Sequence, residues 1–189
     1  MKRVAIVGTT GSGKTTVARQ LSQALHVPHV ELDALYWGPN WTEPPVEVFR
    51  ERVARALSGE AWVVDGNYGK VREIVWRWAD TLVWLDFPLW LILWQLARRT
   101  LRRIVTQEEL WSGNRERPRT GLFSRNSLFV WALQTYRRRR REYAELPRRP
   151  EYAHLRVIRL RSPRETLAWL SAIAASPDLD ESVRQAARL

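Results

Sequence analysis

The stretch GTTGSGKTT, Gly8 to Thr16, follows directly on the short apolar run VAIV, Val4 to Val7. It satisfies the pattern G-x-x-x-x-G-K-[ST] between a predicted strand and a predicted helix, which is the context expected of a P-loop. In such a loop the glycines let the backbone curl, so that successive N–H groups point at phosphate oxygens, and the following helix adds its unpaired N-terminal donors. The stretch therefore predicts a site for ATP.

Two side chains of this loop have predicted roles beyond the backbone cradle. We expect Lys14 to reach the outer phosphates and the hydroxyl of Thr15 to bind Mg²⁺. The alternative is a tight strand-to-helix turn in which the lysine is a coincidence. The predicted ATP-binding set is the whole loop, Gly8, Thr9, Thr10, Gly11, Ser12, Gly13, Lys14, Thr15 and Thr16.

Short apolar runs recur along the chain with helical patterns between them, which predicts a parallel sheet covered on both faces. The predicted strands are 4–7, 28–32, 61–64, 81–85 and 155–160. The predicted helices are 13–25, 45–57, 88–105, 127–146 and 164–174, with a further one at the C-terminus beginning near Ser176. The fold class is therefore α/β.

We expect one domain over residues 1–189, because a chain of this length holds one sizeable core. Residues 1–35, 60–105 and 150–175 form the predicted core. The connector WGPNWT, Trp37 to Thr42, lies in a predicted acceptor-binding segment, 36–59. The polar stretch 106–126 is a predicted lid, because structureless segments of that length usually cover a site or are disordered.

Composition limits the partners and the compartment. The chain has no cysteine, which excludes disulfides and thiolate metal sites and favours the cytoplasm. Four apolar or small residues between Arg3 and the glycine loop are too few for a signal peptide. Residues 81–97 are apolar but short, and Asp86 and Pro88 interrupt them, so a buried strand, turn and helix is favoured over a membrane span. No membrane partner is expected.

The positive charge is concentrated in one region. Of the net +11, residues 98–164 supply 19 arginines against six acids. Such an excess predicts an anionic ligand, which the charge alone leaves open between nucleotide phosphates, a nucleic acid and an anionic lipid surface.

Asp86 closes the fourth predicted strand in LVWLDFP. An acid at that end of a strand can hold Mg²⁺ through water, as a Walker B residue does. It also suits the N-cap of the helix that opens at Pro88. Both interpretations stay open.

Five segments together resemble a known family. The glycine loop, ELDALYWGPNW (31–41), VVDGNY (63–68), ELWSGNRE (109–116) and SRNSLFVWALQTYRRRRREY (124–143) are similar to adenylate-kinase-related P-loop proteins labelled DNA topology modulation proteins. The resemblance implies a three-layer α/β/α P-loop fold like that of nucleoside monophosphate kinases and shikimate kinase. It further implies a five-stranded sheet of order 2-3-1-4-5, ATP binding and an arginine-bearing lid. Adenylate kinase activity itself is not expected, because DGNY stands where adenylate kinases have their own acceptor-binding pattern.

Two acids follow neighbouring strands and are predicted to meet at the edge beside the P-loop. Asp33 resembles the acid with which small-molecule kinases of this fold orient or deprotonate an acceptor hydroxyl, and Asp65 resembles the aspartate of nucleotide kinases at the end of the third strand. Ordinary strand-end capping is the alternative. The predicted acceptor-binding residues are Asp33, Trp37, Trp41, Asp65, Gly66, Asn67 and Tyr68. The aromatic residues among them either stack on a planar acceptor or pack in the core or lid, and packing is slightly favoured.

Arginines are expected to meet the charge that phosphoryl transfer spreads over the equatorial oxygens. By resemblance, Arg115, Arg125 and Arg138 are the predicted catalytic arginines, beside Lys14 and Asp33. The loop at Arg161 is predicted to pass the adenine. Since residues of a helix turn by 100° each, most of the run 137–141 is expected to be a solvated face.

The leading hypothesis is an ATP-binding phosphotransferase that acts with Mg²⁺ on a small, nucleotide-like or hydroxyl-bearing acceptor. A nucleic-acid-associated regulatory ATPase, with residues 137–141 on phosphate backbone, is the second, and a non-catalytic nucleotide-binding switch is the third. No helix-turn-helix, zinc-finger or RNP-type motif supports sequence-specific recognition of nucleic acid.

Overall fold

The computed structural model describes residues 1–106, 109–114 and 128–175. The predicted C-terminal helix after Ser176 lies outside these ranges. The strands are β1 (Arg3–Gly8), β2 (His29–Glu31), β3 (Trp62–Asp65), β4 (Thr81–Leu85) and β5 (Arg156–Leu160). The α-helices are α1 (Lys14–Leu25), α2 (Leu32–Tyr36), α3 (Val46–Ala56), α4 (Arg72–Trp78), α5 (Leu89–Thr106), α6 (Leu128–Glu145) and α7 (Pro163–Ala175).

The five strands form one parallel sheet in the order β2-β3-β1-β4-β5, which confirms the predicted fold class and strand order. The register brings Asp65 beside both Ile6 and Glu31, and Gly8 beside Leu85. The carboxyl ends of β2, β3, β1 and β4 therefore meet at one edge of the sheet, where open α/β sheets bind their ligands.

Each face of the sheet has its own apolar core, as alternating side chains of a strand require. Ala5, Val64 and Trp84 point to one face and pack with residues of α3, α4 and α6, among them Phe49 and Tyr143. The opposite core joins the alternate strand residues to α1, α5 and α7 through Val4, Ile6, Val83, Leu21, Ile92 and Leu170. Helices therefore cover both faces of the sheet, and the fold has three layers, α/β/α.

Helix ends follow local sequence signals. Helix α1 stops at His26, which adopts a left-handed conformation and donates its N–H to the Gln23 carbonyl. Helix α7 begins with a capping interaction, because the N–H of Glu165 donates to Ser162 Oγ at 3.2 Å. The apolar strip 81–97 is β4 followed by α5, and no helix within the described ranges is long and apolar enough to cross a membrane.

Two short helices were not predicted. Helix α2 begins at Leu32, so β2 ends at Glu31, one residue earlier than expected. Helix α4 has only seven residues, REIVWRW, and its branched and aromatic side chains are those that favour strands. Burial of Val75 and Trp76 against the sheet keeps α4 helical, which is a tertiary effect.

Candidate functional site

The glycine loop forms a tight turn between β1 and α1. The N–H of Ser12 donates to the Thr9 carbonyl at 3.0 Å, and Lys14 Nζ donates to the same carbonyl at 3.2 Å. Gly8 has φ of +156°, and a Cβ there would lie 2.8 Å from the Leu85 carbonyl oxygen, so a side chain would collide with β4. The loop can therefore approach the sheet edge closely only with glycine at this position.

Two polar groups of the loop lack full stabilisation within the protein and would gain it from a bound anion. The pKa of Lys14 is lowered from 10.5 to about 8, first by burial and then by the neighbouring charges of Arg139 and Arg99. Ser12 is buried, and its Oγ has no hydrogen-bond partner. A buried orphan hydroxyl and a destabilised ammonium are both satisfied by a phosphate oxygen, so the residues present fit the polyphosphate of ATP.

Thr15 meets Asp65 across the sheet edge. The Thr15 hydroxyl donates to Asp65 Oδ2 at 2.7 Å, and His29 Nε2 contacts Asp65 Oδ1 at 2.8 Å. Asp65 is buried, so its carboxylate is held by these two contacts rather than by water. Sequence reasoning missed His29, because its partner is 36 residues away and no local motif joins them.

This pair fits a magnesium site of the kind that uses few protein ligands. Mg²⁺ usually binds through one or two carboxylates with substrate phosphates and water, and hydroxyls of P-loops also serve. Within the described ranges no cluster of three or more acids or histidines could enclose a metal by itself. The donor set is therefore suited to a Mg²⁺ that arrives with a nucleotide, and Thr15 and Asp65 would hold it.

Asp33 lies in the first turn of α2 and is tied to the loop after β3. The Tyr68 hydroxyl donates to Asp33 Oδ1 at 2.5 Å. Burial raises the pKa of Asp33, while the hydrogen bond from Tyr68 and the charge of Lys14 act in the opposite direction. Burial and the nearby carboxylate also raise the pKa of Tyr68. Asp33 is therefore a carboxyl group of increased basicity within electrostatic range of the P-loop lysine.

Asn67 joins three elements instead of opening toward a ligand. Its Nδ2 donates to the Gly8 carbonyl at 2.5 Å, and its Oδ1 accepts from Tyr143 Oη at 2.8 Å. The preceding Gly66 has φ of +144°, and a Cβ there would lie 2.7 Å from the Cβ of Leu32. The Gly-Asn pair therefore fixes the P-loop to the end of β3 and to α6.

The aromatic residues of the acceptor segment form one cluster. Trp37 packs edge-on against Tyr36 at 4.9 Å and against Trp41 at 5.5 Å between ring centroids. Tyr68 packs on Tyr36 at 4.6 Å. Trp41 is 36% exposed, while Tyr36 is buried. The rings thus line one wall beside Asp33, and much of their surface is used in mutual packing.

Residues 109–114, which belong to the predicted lid, are bonded to the predicted acceptor-binding segment. Asn114 is buried, donates to the Gly38 carbonyl at 2.9 Å and accepts from the Trp41 N–H at 3.1 Å. Ser112 Oγ donates to the Trp37 carbonyl at 2.8 Å. We call these contacts between 37–41 and 112–114 the clasp. It places the first turn of the predicted lid over the aromatic wall.

Among the arginines of α6, the one beside the P-loop is Arg139. Arg138 is 63% exposed at its side chain and pairs with Glu142, and its catalytic role stays a prediction. Arg139 is buried, its Nη1 has no hydrogen-bond partner, and its charge contributes to the lowered pKa of Lys14. The sequence contained a signal for this, because Ala132, Thr135, Arg139 and Tyr143 form the buried stripe of α6.

Asp86 is engaged by two guanidinium groups. Arg140 Nε donates to its Oδ1 at 2.6 Å and Arg159 Nη2 donates to its Oδ2 at 2.5 Å, while the Asp86 carboxylate is 1% exposed. A carboxylate neutralised on both oxygens is a poor partner for Mg²⁺ or its waters. The geometry therefore favours an ion-pair role for Asp86, and its role as a metal ligand stays a prediction.

The remaining predicted residues fall into three groups. Arg115 and Arg125 lie outside the described residues. The N–H of Arg161 donates to Glu165 Oε2 at 2.6 Å, just before α7, and the passage of this loop beside the adenine stays a prediction. Thr9, Thr10, Gly11 and Gly13 lie in the loop and Thr16 lies in the first turn of α1, and their part in ATP binding stays a prediction.

The glycine loop at the end of β1 and the five-stranded parallel sheet of order 2-3-1-4-5 form a fold that matches those of solved shikimate kinases. A shikimate kinase from Bacteroides thetaiotaomicron is 15% identical, with a TM-score of 0.52 over 91% of this chain and 96% of that chain. A shikimate kinase from Acinetobacter baumannii in complex with shikimate is 19% identical, with a TM-score of 0.54 over 95% and 96%.

A gluconokinase from Sinorhizobium meliloti 1021 is also 19% identical, with a TM-score of 0.49 over 92% of this chain and 93% of that chain. Comparison with family models and with curated protein sequences finds no match. At these identities the likeness is one of fold. The more specific resemblance to DNA topology modulation proteins stays a prediction.

Proposed function

We propose that this protein is an ATP-dependent kinase that phosphorylates a hydroxyl group of a small acceptor. The observation that carries the proposal is the position of Asp33, held by Tyr68 and within the electrostatic influence of Lys14. A P-loop alone indicates nucleotide binding. A partly buried carboxyl group of raised pKa beside its lysine adds a general base on the acceptor side.

The residues divide the reaction between them. Asp33 accepts the proton of the acceptor hydroxyl as its oxygen bonds to the γ-phosphorus, and the bond from that phosphorus to the bridging oxygen of ADP breaks. Lys14, the loop N–H groups and Arg139 stabilise the charge on the transferred group. Magnesium, when held by Thr15 and Asp65, would neutralise charge on the β- and γ-phosphate oxygens.

The acceptor side favours a small molecule with a planar or ring-shaped body. The aromatic wall of Trp37, Trp41 and Tyr68 offers apolar contact next to the base, and the clasp closes the same side. The buried Arg139 offers a cation to a carboxylate or phosphate of the acceptor. Hydroxy acids such as shikimate, the ligand of one similar structure, and nucleotide-like molecules are thus the first candidates.

The nucleic-acid alternative has less support in the contacts. A phosphate backbone needs a long track of available cations, yet within the run 137–141 Arg138 pairs with Glu142 and Arg139 is buried. The exposed members that remain, Arg137, Arg140 and Arg141, line one short groove and are too few for such a track.

The test is transfer of label from γ-labelled ATP, with Mg²⁺, to a panel of hydroxy acids, sugars, nucleosides and nucleotides. We expect a labelled acceptor with the wild-type protein and loss of that product with Lys14→Ala. Asp33→Asn should reduce turnover by about 10² to 10⁴ with ATP affinity retained. ATP binding without any labelled acceptor, or undiminished turnover in Asp33→Asn, would reject the proposed role.

A further inference from the structure

A basic groove lies on the side of the molecule, between α6 and the strands β4 and β5. Its cavity of about 390 Å³ is lined by Trp84, Tyr136, Arg137, Arg140, Arg141 and Arg159. Because β5 is the last strand of the sheet, the groove is open along that edge. Residues 137, 140, 141 and 144 share one face of α6, at helical spacing, whereas Arg139 points to the P-loop side.

Two of the guanidinium groups are held in fixed positions. Arg159 stacks over Trp84 with 4.4 Å between its Cζ and the ring centroid, and Arg140 lies 5.7 Å over Tyr136. Both arginines bond to Asp86 through Nε and Nη2, and Nη1 of each is not needed for those bonds. Little side-chain entropy is therefore lost when these groups meet an anion.

Arg137 and Arg141 add two exposed charges, one turn apart on the same wall. Two acids oppose the four arginines: Asp86, which is already bound by two of them, and Glu145, which also lines the groove. The groove therefore keeps a positive surplus. The faces of Trp84 and Tyr136 are covered by guanidinium groups, so they offer little stacking surface to a base.

We propose that this groove is a second anion site, distinct from the P-loop, and that it binds a small molecule with two or more adjacent phosphate groups. The surplus charge, the forked donors and the modest volume suit an oligophosphate. The few exposed cations exclude a long nucleic acid track. The ligand's phosphates can come from free oligophosphate or from a nucleotide, and the groove recognises what these share.

The groove is joined to the P-loop through Asp86. Its N–H donates to the Leu160 carbonyl at 2.8 Å, and the preceding Leu85 is the register partner of Gly8. A ligand that draws Arg140 or Arg159 away from Asp86 would remove an ion pair at the carboxyl end of β4. This strand end is the one that lies beside Gly8 of the P-loop. The proposal stands independently of the kinase activity, because it concerns binding on another face of α6.

Calorimetric titration with tripolyphosphate in the absence of Mg²⁺ tests the proposal. We expect two binding events in the wild-type protein and one in Lys14→Ala, which retains the groove. In that background Arg137→Gln with Arg141→Gln should weaken the remaining event about tenfold or more. Arg148→Gln with Arg149→Gln is the control of equal charge change, and binding should be unaltered.

The proposal is overturned if Lys14→Ala no longer binds tripolyphosphate, or if the groove and control pairs weaken binding equally. It is also overturned if Lys14→Ala binds a single-stranded oligonucleotide but neither tripolyphosphate nor ADP. Comparison of ADP with tripolyphosphate distinguishes a nucleotide from free oligophosphate as the source of the phosphates. Circular dichroism and the melting temperature identify a variant that has failed to fold, and Arg137→Gln alone then replaces the pair.

Discussion

The hydroxyl of Tyr68 donates a 2.5 Å hydrogen bond to Oδ1 of Asp33, across 35 positions of sequence. The bond joins the loop after β3 to the first turn of α2, the two segments that flank the acceptor side of the P-loop. It also stabilises the carboxylate, since it lowers a pKa that burial raises. The tyrosine therefore positions the proposed base and adjusts its basicity at the same time.

Tyr68→Phe is expected to move the acid limb of the kcat profile to higher pH. A base acts in its deprotonated form, so the rate falls as the pH drops below its pKa, and loss of the hydrogen bond raises that pKa. The profile of kcat against pH for the labelled-acceptor reaction measures the change. Tyr36→Phe is the matched control, because its hydroxyl bonds to Glu43 instead. An acid limb that stays in place in Tyr68→Phe contradicts the assignment of Asp33 as the base.

Lys14→Met should stabilise the nucleotide-free protein while it abolishes ATP binding. The folded-state pKa of Lys14, about 8, lies below its ordinary 10.5, so its charged form costs stability below pH 8. That cost is relieved as the pH rises from about 8 toward 10.5, where the unfolded state binds more protons. The melting temperature of the variant should exceed that of the wild type at pH 7, by about 2 to 4 °C for each kcal/mol, and the difference should shrink at pH 9. A lower melting temperature at pH 7 would argue that Lys14 is stabilised by its neighbours instead.

Arg139→Ala and Arg138→Ala should differ sharply although the residues are adjacent. Arg139 is buried beside the P-loop with an unpaired Nη1, whereas Arg138 is exposed and makes a surface ion pair. Removing a cation that stabilises the transferred phosphoryl group lowers kcat, by about 10³ to 10⁵ for arginines of this kind in known enzymes. Arg138→Ala should retain near wild-type turnover. Equal turnover of the two variants would place the phosphate-binding arginine elsewhere.

Asp86→Asn should lower stability without altering the magnesium requirement. The change leaves Arg140 and Arg159 without their shared carboxylate. We expect the free energy of unfolding to fall by about 2 kcal/mol, which is less than for a fully buried pair because both arginines are partly exposed. Chemical denaturation measures the loss, and ATP binding at several Mg²⁺ concentrations measures the requirement. A weakened Mg²⁺ dependence with unchanged stability would restore the metal-ligand interpretation.

The strands and the P-loop were predictable because their signals are contiguous. Five apolar runs and an eight-residue glycine pattern contain all the information needed to place them, and the observed strand order is the one that was predicted. Helix α4 was not predictable, since seven residues of strand-like composition fold as a helix only against the sheet. Contacts between distant residues, such as His29 with Asp65 and Arg140 with Asp86, leave no local pattern. The position of Arg139 was partly predictable. Its four arginine neighbours give no local distinction, but its spacing from the other buried residues of α6 places it on the buried face of that helix.

The clasp and the P-loop are held by separate sets of bonds. Asn114 and Ser112 secure the segment that carries Trp37 and Trp41, whereas Asn67 secures Gly8. With the proposed function, the segment that faces ATP and the segment that faces the acceptor are secured independently of each other. Substitutions at positions 37 and 41 should then redirect the choice of acceptor while ATP binding is retained, which would make this chain a starting point for engineering new phosphorylation specificities.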